Sequence, residues 1–247
     1  MDSAVMQAEA CRLLNSALDN DTRELSNATQ AMQANAAEVV AAGMRRHAAD
    51  ESVQSEGCRA FMSLFLCDVK HITKAGCTSA SEALVAAMRG HARCGPIQAN
   101  ACGALHFMAF DDDNNVTRAG NASGAIKAVV AALRGHLESS DVQHEACGAL
   151  HGLTSENAEA VTCAGRAGAL EAVVASMLSH PESAQVQTQA CRALWSMTLN
   201  NKENRIRARH AGAIEALAAV KGRQKYIFES EKLQAMTTLM NGFKTDY

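Results

Sequence analysis

Nine cysteines and nine histidines stand in this 247-residue chain. Either side chain can bind metal or carry a reaction: the thiolate as nucleophile or soft ligand, the imidazole as base or ligand. Spacing decides between these roles. Cys11, Cys58, Cys102, Cys147 and Cys191 recur at steps of 47, 44, 45 and 44 residues. His47, His91, His136 and His180 keep pace, each 11 residues before a cysteine. A zinc loop needs close pairs such as Cys-x-x-Cys followed by His-x-x-x-His, and an 11-residue separation supplies none. A two-metal carboxylate centre needs several His-Glu pairs, and the chain offers one, His144-Glu145. No Gly-x-Ser-x-Gly, phosphate-binding loop or dinucleotide glycine pattern is present. The acidic run Asp111-Asp112-Asp113-Asn114-Asn115 lacks the Gly-then-Glu order of a calcium loop and reads as a solvated, helix-capping turn. The expectation is a chain with no catalytic residue, no metal and no cofactor.

The periodic residues have a simpler reason to exist, which is packing. A self-similar period of this length marks a solenoid whose units bury a face only against their neighbours. The sequence around the rulers repeats as well: Val53-Gln54, Ile97-Gln98, Val142-Gln143 and Val186-Gln187 each precede a ruler cysteine. Within residues 168–180, Leu170, Val173, Val174, Met177 and Leu178 follow one helix face. Gly168 breaks the chain before them and Pro181 stops it after. A longer helix follows over 183–199, and a short one precedes over 157–163. Medium helices recur at Ala36–His47, Ser81–His91, Gly124–His136 and Ala213–Gly222; long helices recur near 51–66, 96–110, 140–154 and 227–241. Met1 to Leu18 reads as a long helix without its partners, a partial cap. The spacing therefore predicts one solenoid over 1–247, with a cap at 1–19 and repeats at about 20–67, 68–110, 111–154, 155–199 and 200–247. The ruler cysteines should be buried and unpaired, since helix neighbours stand roughly 8–10 Å apart and a disulfide needs Cα atoms within about 4.4–6.8 Å. Each ruler histidine should cap the end of its own medium helix, where free carbonyls and the dipole favour it.

Composition narrows the function. A net charge of −3 gives no basic field for nucleic acid or an anionic membrane. Aromatic residues make up 4% of the chain, too few for base-stacking platforms. No apolar run reaches the roughly 20 residues of a membrane span. The first residues lack the basic and apolar regions of a secretory signal, so an intracellular, cytoplasmic setting with reduced thiols is expected.

Three helices in about 44 residues, with Gly-Ala-Ile/Leu opening the second and Val-Gln-x-x-Ala-Cys-x-Ala-Leu in the third, resemble the armadillo repeat family. Ala193-Leu194, Asn204-Arg205 and Ala211-Gly212-Ala213-Ile214 match its pattern; Lys127, Glu171 and Glu215 stand where it often has proline. The resemblance implies an all-α, right-handed superhelical solenoid of three-helix repeats. It implies a concave groove of third helices that binds a protein or peptide. The groove positions, one and five residues after each ruler cysteine, read Arg12, Arg59, Gly103, Gly148, Arg192 and Ser16, Ser63, Phe107, Gly152, Ser196. Importin-α-like armadillo proteins carry Trp and Asn ladders there; this chain has neither, so nuclear-import cargo binding is not implied. A third row, Asn15, Met62, His106, His151 and Trp195, lies at the groove edge. The expected site is Arg59, Gly103, His106, Phe107, Gly148, His151, Gly152, Arg192 and Trp195. Two readings of the glycines stay open: room for a ligand, or close approach of neighbouring helices. Two functions stay open too: a non-enzymatic protein-binding scaffold, or a structural subunit of a large assembly.

Overall fold

The computed structural model describes residues 3–19, 35–67, 74–109 and 122–221. The predicted helix over 227–241, with Glu231, Lys232 and Leu233, and the Asp111–Asn115 turn lie outside these residues. Every described element is a helix. The long helices are α1 (Ser3–Asp19), α3 (Glu51–Cys67), α5 (Gly95–Met108), α7 (Ser140–Thr154) and α10 (Ala184–Thr198). The medium helices are α2 (Ala36–Arg46), α4 (Lys74–Gly90), α6 (Ala122–Gly135), α9 (Ala169–Ser179) and α12 (Ala213–Lys221). Two short helices are α8 (Ala158–Ala167) and α11 (Lys202–His210). Long helices pack in chain order as one ladder, α1–α3–α5–α7–α10, and medium helices form a second, α2–α4–α6–α9–α12. The core runs between the ladders.

Local chemistry sets the boundaries. Asp50, Ser139 and Ser183 accept hydrogen bonds from the backbone N–H three residues on, starting α3, α7 and α10. Asn157 and Asn201 do the same for α8 and α11. Such caps each stabilise a helix start by about 1 kcal/mol. Where the chain breaks before a medium helix, the break falls at one register position, 12 residues before the ruler-histidine place. Gly168 has φ 78° and Asn35 φ 56°, and Gly212, at the same place in the next unit, has φ 92°. These left-handed values suit glycine and asparagine. Ser79 holds the equivalent place in α4, which runs unbroken from Lys74 to Gly90. The separate short helix expected there is fused to the medium one. Gly124 likewise sits inside α6, which begins two residues earlier.

The ruler cysteines are buried as expected: Cys58, Cys102, Cys147 and Cys191 are fully inaccessible, and all are free thiols. Burial pushes the Cys147 and Cys191 thiols up to about 12 and Cys58 higher still. The histidines stand at the ends of their medium helices as predicted, but their rings do not cap those helices. His91, His136 and His180 each place Nε2 at 2.7–2.9 Å from a carbonyl of the preceding unit, Ala48, Ala92 and Leu137. Each ring is thus a staple between units. The capping role belongs to the ruler glutamines. Nε2 of Gln54, Gln98, Gln143 and Gln187 donates to two carbonyls, 10 and 7 residues earlier, at the end of the medium helix. A neutral amide can satisfy two buried carbonyls at once, which explains glutamine at a fully buried position.

Candidate functional site

The groove positions divide along the ladder. At its start they are taken up by ion pairs. Arg12 meets Glu56 at 3.2 Å and Glu9 at 3.0 Å, and Arg59 meets the same Glu56 at 2.7 Å. Arg59 is thus held by its own helix.

In the middle the glycines are covered. A Cβ at Gly103 would meet the Met62 sulfur at 2.8 Å; one at Gly148 would meet the His106 ring at 2.6 Å; one at Gly152 would meet the Ala109 Cβ at 2.8 Å. Close approach of neighbouring helices is the reading that holds, and the space is filled by the preceding helix. His106 is 5% exposed, has Nδ1 3.8 Å from a Glu145 carboxylate oxygen, and stacks on half-buried Phe107 at 5.3 Å between ring centroids. His144 and Glu145 approach at 4.0 Å. Among the described residues no group of three or more His, Cys, Asp or Glu is placed to hold a metal.

Past α7 the pattern changes. The residue four after a ruler cysteine packs toward the residue one after the next ruler cysteine. Met62 lies over Gly103 and His106 over Gly148; the register counterpart of these glycines on α10 is Arg192, and the His151 ring lies beside Ser155. His151 and Trp195 stay half-buried, and Arg192 is exposed. Here a cleft of about 490 Å³ opens, walled by the last turns of α7 and α10 and by the start of α8. Its lining includes His151, Thr154, Ser155, Glu156, Trp195, Ser196, Leu199 and Asn200. The polar wall is organised: Thr154 Oγ1 and Ser196 Oγ are 2.7 Å apart, and Ser155 Oγ lies 3.3 Å from His151 Nδ1 and donates to the His151 carbonyl at 2.7 Å. Glu156 is held at φ 56°, a left-handed conformation that costs a side-chain-bearing residue roughly 1–2 kcal/mol. The arrangement joins an aromatic face to hydroxyl and amide groups, suited to gripping a side chain and its adjoining backbone.

Of the predicted site, the structure brings His151 and Trp195 together in this cleft, and Arg192 stands on α10 three residues before Trp195. Gly103, Gly148, Gly152 and His106 are buried at helix contacts; Phe107 and Arg59 lie further along the ladder. Thr154, Ser155, Glu156, Leu199 and Asn200 were missed. One signal was available: Thr154 and Thr198 repeat at the 44-residue period, and each donates to the carbonyl four residues earlier at 2.6 Å, marking where the long helices end.

No family model matches the sequence, and a search of curated proteins found no match. Solved structures do match. An engineered protein is similar over 98% of this chain and 94% of its own, with 28% identity and a TM-score of 0.76. A designed armadillo repeat protein is similar over 97% and 95%, at 21% identity and TM-score 0.73. Another, in complex with the peptide (KR)4, is similar over 96% and 98%, at 21% identity and TM-score 0.69. The chain has an armadillo-like repeat fold, an all-α solenoid.

Proposed function

We propose that this chain is a non-enzymatic scaffold that binds a peptide or an extended protein segment through its third helices, centred on the cleft beside Trp195. The observation that carries this reading is the cleft itself. It is where the ladder leaves a half-buried tryptophan beside open, hydroxyl-lined space, and buried aromatic anchors dominate recognition surfaces. The similar designed protein in complex with (KR)4 supports a peptide as ligand class. The sequence of that peptide is not carried over, because the first groove position holds arginine or glycine here and the aromatic anchor is Trp195. A protein partner fits better than nucleic acid, given a net charge of −3. The free thiols suit a reducing, intracellular setting.

Peptide display against the full chain tests this. Selected peptides should lose at least about tenfold in affinity with Trp195→Ala, the scale of a single aromatic anchor. Peptides that bind this variant as tightly as the parent would place recognition elsewhere. The second reading, a subunit of a large assembly, has its own observation: Met6, Leu13, Val39, Leu66 and Leu178 are exposed on elements away from the cleft.

A further inference from the structure

We propose that Glu145 is a subsite for an arginine side chain of the bound peptide. This rests on the reading that the third helices bind a peptide, and it names a side chain that such a peptide carries. The argument is one of register. Glu56 and Glu145 stand at the same place, two residues before a ruler cysteine. Glu56 holds two guanidinium groups. Arg12, from the preceding long helix, meets its Oε1 at 3.2 Å, and Arg59, from its own helix, meets Oε2 at 2.7 Å. Both arginines stand one residue after a ruler cysteine. Around Glu145 the same two places hold Gly103, on α5, and Gly148, on α7. The carboxylate is present where both of its register cations are absent.

The carboxylate lies where that comparison puts it. A Cβ at Gly103 would stand 3.0 Å from Glu145 Oε2. Oε2 is buried and makes no hydrogen bond. Two imidazoles approach, His106 Nδ1 at 3.8 Å and His144 Nε2 at 4.0 Å, and both stand beyond hydrogen-bonding distance. A carboxylate oxygen withdrawn from water without a donor is costly, and an incoming guanidinium supplies charge-assisted N–H donors. The Glu145 side chain is 23% exposed, so a ligand can reach it. Arginine fits better than lysine. Its planar fork can span both oxygens, as the two arginines do at Glu56, and it stacks on rings such as the adjoining His106–Phe107 pair. Glu145 stands two before its ruler cysteine and Trp195 four after the next, a rise of six residues across one helix spacing. An extended peptide covers the resulting ~13 Å with about four residues.

The probe is the fluorescein-labelled peptide (Gly-Arg)5, which sets its arginines on one face of an extended chain. Its citrulline counterpart keeps the shape and lacks the charge. Anisotropy against the full chain should show saturable binding of the arginine peptide, weakened about tenfold or more by Glu145→Gln. The citrulline peptide should bind more weakly and be indifferent to that substitution. Gln189 holds the same register place in α10, so glutamine suits the helix, and matched melting temperatures check the fold. Glu82→Gln, at an exposed acid on a medium helix, changes net charge equally and should leave binding unchanged. Three results would overturn the proposal: no saturable binding of (Gly-Arg)5 by the parent, equal affinity for Glu145→Gln, or an equal loss with Glu82→Gln. Peptides selected by display separate the subsite from the cleft. Those that need Trp195 but not Glu145 would sink the arginine subsite and leave the cleft standing. Those that need Glu145 but not Trp195 would support the subsite and move recognition off the cleft.

Discussion

The α5–α7 and α7–α10 junctions are built on one register and end differently. At the first, His106 reaches toward position 148, finds glycine, and sinks to 5% exposure. At the second, arginine stands at the register place of that glycine, and His151 stays half-buried beside Ser155 at the wall of a cleft of about 490 Å³. The junction with glycine is sealed core, and the junction with arginine at the same register place carries accessible surface. A solenoid can thus vary its binding surface unit by unit while the ladder of cysteines and glutamines stays constant.

The most severe way to break this comparison is to give the first junction the residue of the second. Gly148→Arg puts a Cβ 2.6 Å from the His106 ring and a long side chain behind it. Overpacking of this kind should cost about 3 kcal/mol or more, despite arginine's better helix propensity. Denaturant unfolding checks it; unchanged stability would show that the junction opens freely.

Alkaline pH should produce the next largest effect, shared by α7 and α10. The Cys147 and Cys191 thiols are raised from 9.0 to about 12 by burial. Between those values the unfolded chain loses protons that the folded chain keeps. Their stabilisation is complete below pH 9 and falls as pH rises toward 12, by up to about 1.4 kcal/mol per pH unit for each thiol. Urea midpoints in the wild type and in Cys147→Ala should diverge above pH 9 and run parallel below it.

Gln143→Ala and Gln187→Ala should each cost about 1–3 kcal/mol, and by similar amounts, because each removes the same cap on the medium helix of its own unit. A large difference between them would mean that the two units differ in backbone at the ends of their medium helices. Trp195→Ala should have the smallest effect on folding among these changes, since the ring is half-buried at a cleft wall. Thermal melting measures that directly.

The fold was legible because packing leaves a periodic trace. The 44-residue ruler marked the long helices to within a few residues, and Gly168 marked a break. The fusion across Ser79 was harder to read, since a serine neither forces nor forbids a turn. From the sequence, the cap falls to His136 and no role to Gln143: both stand near a helix end, and only the fold shows which one meets which carbonyl. The site was half legible. Register placed His151 and Trp195 on one row, but it placed His106 there too. Separating them needs the neighbour across the junction, which is glycine for one and arginine for the other. Glu156 and Asn200 come from connecting turns, where no period speaks.

The chain contains a single tryptophan, and it stands in the cleft. Its emission therefore reports directly on the central claim. Peptides selected for binding should shift Trp195 emission to the blue and protect it from a soluble quencher, saturably and with the same midpoint as binding. Tight binding that leaves both the emission and its quenching untouched would contradict the account.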